Sequence, residues 1–279
     1  MNDKSVDLPE IYIEAKSSWG VVDFRELLDY RDLLFFLVVR TIKVAYAQSV
    51  AGLAWAVIQP ALQVLVFSLV FGILLGVDSD GMPYPLITTV AVIPWTYMSA
   101  SLNGASNSLV DNAGMLGKIY FPRIIFLLNP VIGNLLPFFI SFVLLAAVLL
   151  YYQVSLSLRV LMLPVIIVLM VLTPLSIGLW LSTMAIRFRD VKIAMSHFIR
   201  MLIYIVPVMY PPDRVPTEWR PIYILNPFVG IIEGFRSCLL PDEQFRWDSL
   251  LISAVVTVVL LITGMIYFRR MERIIVDVI

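Results

Sequence analysis

Charged residues in this chain occur in clusters that are separated by long apolar runs. Five runs contain no charged residue, and they cover residues 50–77, 86–110, 124–152, 160–186 and 249–268. Each run reaches or exceeds the roughly 20 residues that a helix needs to cross the hydrocarbon core of a bilayer. A sixth run, 193–212, has only His197 and Arg200 as ionisable groups. The pattern predicts an all-α polytopic membrane protein with six transmembrane helices, in a transmembrane domain over residues 50–268.

The residues before the first run show the pattern of an amphipathic helix. Asp23 and Glu26 resemble a capping box, and apolar residues follow at helical spacing among charged ones. We therefore predict an amphipathic interfacial helix over residues 23–49, with Trp19 just upstream as an anchor in the headgroup region. Residues 1–22, which have no apolar core, and residues 269–279 are predicted to be cytoplasmic tails.

The stretch between the fifth and sixth runs, residues 213–248, is too long for a simple connection. Asn226 followed by Pro227 is a strong helix start, because asparagine can cap a helix and proline suits its first position. A helix from there to Pro241 has about 14 residues and a length of about 21 Å, which is too short to cross a bilayer. We predict short outer re-entrant helices here, or alternatively a helix that lies at the outer surface.

The same stretch is a candidate for an outer gate over an exit pathway. Its helix would supply a movable apolar plug, and the candidate residues are Asn226, Pro227, Phe228, Ile231 and Phe235. Gly230 and Gly234 would let this helix pack closely against the same helix of a second copy. The alternative is a fixed outer cap that never moves.

Lysine and arginine are distributed unevenly between the two sides of the predicted spans. The side that carries both termini has fourteen of them, and the opposite side has five. Cytoplasmic loops of membrane proteins retain positive charge. We therefore expect both termini to lie in the cytoplasm.

Composition and charge argue against several classes of function. The chain is 60% hydrophobic and 14% charged, too apolar for a soluble protein, and its net charge of zero argues against a nucleic-acid partner. No acidic residue lies in the six runs, whereas ion-coupled transporters normally keep a carboxylate inside the membrane. With one cysteine, Cys238, and one histidine, we expect no metal site and no hydrolytic site.

The chain also lacks the Gly-x-x-x-x-Gly-Lys-Ser/Thr loop that holds nucleotide phosphates. If ATP drives this protein, a separate chain must bind it. We therefore expect this chain not to be an enzyme and to bind no cofactor itself.

Four segments carry a resemblance to a known family. They are residues 40–55 with Gln59-Pro60 shortly after, residues 112–123, residues 187–190 and the pair Asn226-Pro227. With these segments in this order, the chain resembles the membrane permease subunits of polysaccharide-exporting ABC transporters of the type-2 class. Members of that class export O-antigen, teichoic acid or related lipid-linked glycans. The resemblance extends over nearly the whole chain.

The resemblance implies a channel-forming permease that moves a lipid-linked polysaccharide across the bacterial cytoplasmic (inner) membrane, in contact with membrane lipids. It also implies a second copy of this chain and two cytoplasmic ABC ATPase subunits, which bind ATP and Mg. The segment 111–123 would be a coupling helix seated in the ATPase, or alternatively only a connecting loop. The candidate coupling residues are Asn112, Gly114, Lys118, Phe121, Pro122, Arg123, Arg187, Arg189 and Asp190. The candidates where the chain approaches the first span are Trp19, Arg40, Lys43, Tyr46 and Gln48.

A glycan is polar but has apolar sugar faces, so aromatic rings can hold it loosely along a conduit. The pathway candidates are Trp55, Phe67, Phe71, Trp95, Tyr97, Tyr204 and Tyr210. The alternative for each ring is packing against lipid or another helix. His197 and Arg200 share a helix face and are candidates to meet the diphosphate of the lipid carrier. The alternative for Arg200 is to reach the cytoplasmic headgroups.

Two other functions fit the predicted topology. An ABC exporter of a drug or a small lipid would share it but would have less reason for the glycan-exporter segments. An ATPase-independent flippase for lipid-linked oligosaccharides would need no ATPase partner.

Overall fold

The structure of the protein is a computed structural model that describes residues 24–77, 81–116, 121–240 and 245–278. Within these ranges all regular secondary structure is helical, which confirms the predicted all-α class. The α-helices are α1 (Phe24–Asp29), α2 (Arg31–Tyr46), α3 (Trp55–Phe67), α4 (Tyr84–Asp111), α5 (Ala113–Leu116), α6 (Ile124–Gly133), α7 (Leu135–Tyr151), α8 (Leu163–Arg187), α9 (Arg189–Leu202), α10 (Arg220–Ile224), α11 (Pro227–Leu239) and α12 (Trp247–Val278). A π-helix (Ser68–Leu74) extends α3, and 3-10 turns (Gly52–Ala54, Leu158–Met162 and Pro212–Arg214) precede α3, α8 and α10.

The N-terminal amphipathic segment forms two helices, where the sequence predicts one over residues 23–49. At Tyr30 the backbone has φ −95° and ψ 14°, which separates α1 from α2, and α2 already ends at Tyr46. The break at Tyr30 was not predicted, because a break without glycine or proline leaves no signal in the sequence. The predicted tail over residues 1–22, with its anchor Trp19, and the capping residue Asp23 lie outside the described residues.

Four described helical segments are long and apolar enough to cross a membrane. They are Gly52–Leu74, Ile124–Tyr151, Leu158–Arg187 and Trp247–Glu272, which correspond to the first, third, fourth and sixth predicted spans. Many of their aliphatic side chains are exposed in the single chain, among them Val143, Leu150 and Val255. A large exposed apolar surface of this kind suits contact with lipid or with another membrane-embedded chain.

The second predicted span is α4, which lies at the centre of the bundle. Although α4 has 28 residues, its serine, threonine and asparagine residues make it less apolar than the four segments above. Most of its residues are buried, and it contacts α3, α6, α7, α8, α9 and α11. A Cβ added to Gly104 would lie 2.5 Å from Pro130 Cβ, and one added to Gly178 would lie 2.6 Å from Ala105 Cβ. The small and polar residues 99–108 therefore belong to a closely packed interior helix.

The fifth predicted span is not a single helix. α9 ends at Leu202, and residues 203–210 form turns. Pro207 explains the break, because it lacks the N–H that would donate to the carbonyl of Ile203 in a continuous helix. The continuous helix predicted over residues 193–212 is therefore wrong.

The broken segment still passes along the whole of α4, in the opposite direction. Lys192 pairs with Asp111 at the end of α4, with 2.6 Å between Nζ and the carboxylate. Tyr84, at the start of α4, donates its hydroxyl hydrogen to the carbonyl of Met209 at 2.6 Å. We call these two ends of the bundle the Asp111 end and the Tyr84 end. Residues 192–209 thus connect one end with the other.

Side-chain donors, which take the place of backbone N–H groups, donate hydrogen bonds to carbonyls in the turns of residues 203–210. Arg236 Nη2 donates to the carbonyl of Pro207 at 2.8 Å, and Tyr210 Oη donates to the carbonyl of Ile205 at 2.9 Å. With the tyrosine of α4 described above, three side chains satisfy carbonyls of this segment. Non-helical backbone inside a membrane protein is tolerated where protein groups satisfy it in this way.

In the outer stretch, α11 begins where the sequence predicts it. Asn226 Oδ1 accepts a hydrogen bond from the backbone N–H of Phe228 at 3.2 Å, and Pro227 is the first helical residue. The helix ends at Leu239, while Pro241 lies outside the described residues. All of its residues are buried within the chain, while its position relative to the membrane, re-entrant or at the outer surface, stays a prediction. The movable plug formed by its apolar residues stays a prediction.

The two glycines of α11 pack against other helices of the same chain. A Cβ on Gly230 would lie 2.1 Å from the carbonyl oxygen of Ser249 in α12. A Cβ on Gly234 would lie 3.3 Å from side-chain carbons of Ile166 in α8 and Leu250 in α12. The prediction that these glycines face the same helix of a second copy is therefore wrong, because α8 and α12 already occupy those faces.

Candidate functional site

A cavity of about 570 Å³ lies between α3, α4, α7 and α9. Its size falls in the range of pockets that hold small organic ligands. The apolar and aromatic lining residues are Trp55, Ala56, Pro60, Ile93, Trp95, Tyr97, Ala100, Pro137, Phe138, Ile199 and Ile203. The polar lining residues are Tyr46, Gln59, Gln63, Thr96, Ser99, Asn103, Asn134, Ser141, Ser196 and Arg200. Among these described lining residues, Arg200 is the only one with a charged side chain.

Helical spacing places most of the polar lining residues on three facing helices. Residues three or four apart share one face of a helix. The sets are Gln59 and Gln63 on α3, Thr96, Ser99 and Asn103 on α4, and Ser196 and Arg200 on α9. Polar groups of α3, α4 and α9 thus line the cavity together with its aromatic residues.

Two side-chain amides in this lining have hydrogen-bond partners within the chain. Thr96 Oγ1 donates to Gln63 Oε1 at 3.3 Å. Asn103 Oδ1 accepts from Asn107 Nδ2 at 3.2 Å and from Ser196 Oγ at 3.4 Å. The hydroxyls of Thr96 and Ser196 also lie near the carbonyls of Val92 and Lys192, at 2.8 and 3.2 Å, so Asn107 is the dedicated donor that leaves the NH₂ group of Asn103 to serve a ligand.

Three of the seven predicted pathway aromatics line the cavity, and they are Trp55, Trp95 and Tyr97. Trp55 is 46% exposed, whereas Trp95 and Tyr97 are only 4% and 3% exposed. Trp95 packs edge-on against Phe228 with ring centroids 5.9 Å apart, and the Tyr97 hydroxyl donates to the carbonyl of Val131 at 3.0 Å. Trp55 therefore presents the accessible ring, while the rings of Trp95 and Tyr97 are buried and held by contacts within the chain.

The other four predicted aromatics lie outside this cavity. Phe67 and Phe71 pack edge to face, with centroids 6.1 Å apart, where α3 continues into the π-helix. Tyr204 is exposed, and Tyr210 holds the turn that follows α9. A pathway role for these four residues stays a prediction.

The two residues predicted to meet the lipid diphosphate are placed differently. Arg200 lines the cavity. His197 is exposed on α9 and is not part of the lining. The structure therefore connects only Arg200 with this site.

The structure also places in different surroundings the residues that were predicted to lie where the chain approaches the first span. Tyr46 lines the cavity, and burial raises the pKa of its hydroxyl above the ordinary value. Arg40, Lys43 and Gln48 are exposed. Gln48 has a positive φ of 59°, which turns the chain between α2 and α3.

The predicted coupling segment lies at the Asp111 end of the bundle. Within it, α5 is a single turn of four residues, Ala113–Leu116, in which Gly114 is exposed. Asn112 donates its side-chain amide to the carbonyl of Ser108 at 2.7 Å. Lys118 lies outside the described residues.

The remaining coupling candidates lie on both sides of the junctions that follow α5 and α8. Phe121 is buried, Pro122 precedes α6, and Arg123 donates to the backbone carbonyl of Glu272 in α12. Arg189 begins α9. Arg187 places its guanidinium over the ring of Phe188 at 5.4 Å, and Asp190 is exposed in the first turn of α9.

The polar site residues that sequence reasoning missed carry amide or hydroxyl side chains. Gln59, Gln63 and Asn134 line the cavity but stand in runs that the sequence shows only as apolar spans. Two glutamines four residues apart in an uncharged run were an available signal, because they share one helix face. Nothing in the sequence indicated which other helices that face meets.

Comparison with known proteins covers the whole of this site. Residues 32–240 match the family described as ABC-2 type transporter. An O-antigen export system permease protein (RfbA) of Myxococcus xanthus is 28% identical over 239 residues, which is 85% of this chain and 91% of the relative. An O-antigen export system permease protein (RfbA) of Klebsiella pneumoniae is 26% identical over 242 residues, covering 86% and 92% of the two chains. The polysialic acid transport protein KpsM of Escherichia coli is 20% identical over 241 residues, covering 85% and 92%. The family match spans well over half of the chain and includes every residue that lines the cavity, so the chain belongs to the ABC-2 type transporter family.

Proposed function

We propose that this chain is the channel-forming permease subunit of an ATP-driven exporter that moves a lipid-linked polysaccharide across the cytoplasmic membrane. The substrate class is O-antigen or a similar glycan. One observation carries the proposal: relatives named for O-antigen export and polysialic acid transport align with this chain over about nine-tenths of their own length. The likeness therefore extends to the whole permease.

The cavity supports a carbohydrate substrate in chemical terms. A sugar ring has apolar faces and a rim of hydroxyl groups. Trp55 offers an accessible aromatic face next to Gln59 and Gln63 on the same face of α3, and Asn103 adds a further amide group from α4. Ligand sites of this kind combine apolar surface with a few placed polar groups.

Six membrane crossings account for the arrangement of the helices. Four segments have the length and apolar character of spans, and α4 is a fifth crossing that is shielded by its neighbours. Residues 192–209, which connect Asp111 with Tyr84, supply the remaining crossing. An even number of crossings leaves both termini on one side of the membrane. The excess of lysine and arginine in the segments on that side supports a cytoplasmic location for both termini.

The assembly consists of two copies of this chain and two cytoplasmic ABC ATPase subunits. Membership of an ABC transporter family supports this assembly. ATP and Mg bind in the ATPase, because the permease sequence has no phosphate-binding loop. Exposed residues at the Asp111 end, including Gly114 and Asp190, offer the surface for that contact.

Two other functions are less well supported. An exporter of a drug or a small lipid would share the family, but the similar relatives are named for polysaccharides. A flippase that works without an ATPase conflicts with membership of an ABC transporter family.

A cysteine placed at Gly114 is expected to crosslink to the partner ATPase in the assembled complex. Gly114 is exposed in α5, and the native Cys238 is buried in α11, so the engineered thiol is the accessible one. The measurement is the mass shift of the crosslinked chain, with the captured partner identified by mass spectrometry.

A cysteine at Leu156 is the matched control, because Leu156 is exposed in the connection between α7 and α8 at the Tyr84 end. It is expected to capture no ATPase. Capture from Leu156 in place of Gly114 would reverse the proposed orientation. Absence of ATPase from both crosslinks would contradict the proposed assembly and favour the flippase.

A further inference from the structure

Asn103 presents a fixed hydrogen-bond donor to the cavity. Its Oδ1 accepts two hydrogen bonds, from Asn107 Nδ2 at 3.2 Å and Ser196 Oγ at 3.4 Å. Ser196 Oγ has one hydrogen and also lies 3.2 Å from the carbonyl of Lys192, so the bond from Asn107 is the one that orients the amide of Asn103. Asn107 is itself held, because its Nδ2 also donates to the carbonyl of Asn103 at 2.9 Å. The amide of Asn103 therefore loses the hydrogen bond from Asn107 if it turns its oxygen toward a ligand.

Arg200 adds a positive charge to the same lining. It lies four residues after Ser196 on α9, so the two side chains share a helix face. Its guanidinium carries five N–H donors and no acceptor. The described residues place no acidic side chain in the lining of the cavity, so no carboxylate there competes for Arg200.

Gln63 extends the set of donors across the cavity. Its side-chain amide lies 3.3 Å from Thr96 Oγ1, whose single hydrogen has a closer acceptor in the carbonyl of Val92 at 2.8 Å, so the amide can present its NH₂ group to a ligand. Three helices thus offer N–H donors to one space: α3 through Gln63, α4 through Asn103 and α9 through Arg200. Converging N–H donors with one fixed positive charge suit an anion better than a neutral hydroxyl group, because charge-assisted hydrogen bonds are the stronger ones.

We propose that this cavity binds an anionic group of the transported molecule, a carboxylate or a phosphate, between Arg200 and the amide of Asn103. Arg200 supplies the charge, Asn103 supplies an oriented N–H donor, and Asn107 is the positioning residue. The inference rests on the proposed function for the identity of the transported molecule. The anion has two sources, an acidic sugar of the glycan or the phosphate that joins the glycan to its lipid, and the test separates them.

The experiment measures binding of three probes to the purified complex of this chain with its ATPase. The probes are glucuronate, inorganic diphosphate and glucose. The variants are Asn103→Asp, Arg200→Gln and Arg200→Lys. Asn103→Asp is nearly isosteric and keeps the oxygen that accepts from Asn107 and Ser196, but it replaces the N–H donors by a negative charge. Arg200→Lys keeps the charge that Arg200→Gln removes.

Asn103→Asp and Arg200→Gln are each expected to weaken binding of at least one anionic probe by about tenfold or more. Arg200→Lys is expected to retain most of the affinity, and glucose binding is expected to change little. Loss confined to glucuronate identifies an acidic sugar, and loss confined to diphosphate identifies the lipid-linked phosphate. Unchanged thermal unfolding of all three variants excludes a folding defect, since Asn103 and Arg200 are exposed in the single chain.

Two results would overturn the site. One is equal binding of glucose and of both anions, and the other is anion binding that is insensitive to Asn103→Asp and Arg200→Gln. A separate result would contradict the proposed function. If depletion of the chain leaves polysaccharide export intact while Arg200-dependent anion binding persists, the export role is wrong and the anion site stands.

Discussion

Replacing Gly230 by alanine is expected to lower the free energy of unfolding by about 3 kcal/mol, the upper part of the usual range for overpacking. The added Cβ would lie 2.1 Å from the carbonyl oxygen of Ser249 and 2.4 Å from Ser253 Oγ. The carbonyl belongs to the backbone of α12 and cannot move aside by a change of rotamer. α11 must therefore separate from α12, which exposes surface that the native packing buries.

Gly133→Ala is the matched control, because it makes the same chemical change in α6. No atom lies within 4 Å of a Cβ at Gly133, so this variant is expected to be neutral or more stable by up to about 1 kcal/mol. The measurement is the midpoint of thermal unfolding of the detergent-purified chain. Equal midpoints for the two variants would show that α11 does not pack against α12 as described.

Arg236→Met is expected to lower the free energy of unfolding by about 2–3 kcal/mol, the upper range for losing a buried hydrogen bond from a charged donor. Arg236 is fully buried and donates to the carbonyl of Pro207, where residues 203–210 leave the helical path. Methionine fills similar space but cannot donate, so that carbonyl stays buried without this donor. Glu233, buried in the same helix, also loses a nearby positive charge.

Hydrogen exchange locates the effect of Arg236→Met, because it reports opening of individual backbone segments. Exchange is expected to rise in residues 203–210 more than in α8. Arg236→Lys is expected to be milder, because lysine retains a charge and can donate. Arg220→Met is the control, since Arg220 is only partly buried in α10. An Arg236→Met variant as stable as Arg220→Met would contradict the role of Arg236 in holding the broken crossing.

Features that depend on neighbours in the sequence could be predicted from the sequence. The cap at Asn226 and the proline that follows it act within one helical turn, and the structure confirms both. The family could be predicted as well, because its motifs are contiguous segments. The uncharged runs predicted four spans that the structure supports.

Features that depend on distant residues could not be predicted in the same way. Tyr84 donates to the carbonyl of Met209 across 125 residues of sequence, so the break after α9 is stabilised by a residue that no local pattern connects with it. Gly230 shows the same limit, because the sequence indicates a close approach but not which helix approaches. The structure assigns that approach to Ser249 of the same chain.

The candidate site divides along the same line. Of the predicted aromatics, Trp55, Trp95 and Tyr97 line the cavity, while their role in a glycan pathway stays a prediction. A search for aromatic residues missed the amides, because the role of a glutamine or asparagine in an apolar span depends on which residues of other helices face it. Asn103 is an example, since Ser196, which contacts its side chain, lies 93 residues away.

Depletion of this chain in its native cell, with the partner ATPase still present, tests the proposed export function most directly. The measurement is the amount of polysaccharide at the cell surface and the amount of lipid-linked polysaccharide that remains inside. We expect surface polysaccharide to fall and the lipid-linked form to accumulate on the cytoplasmic side, with both restored by re-expression of the wild-type chain. Unchanged surface polysaccharide during complete depletion would contradict the proposal.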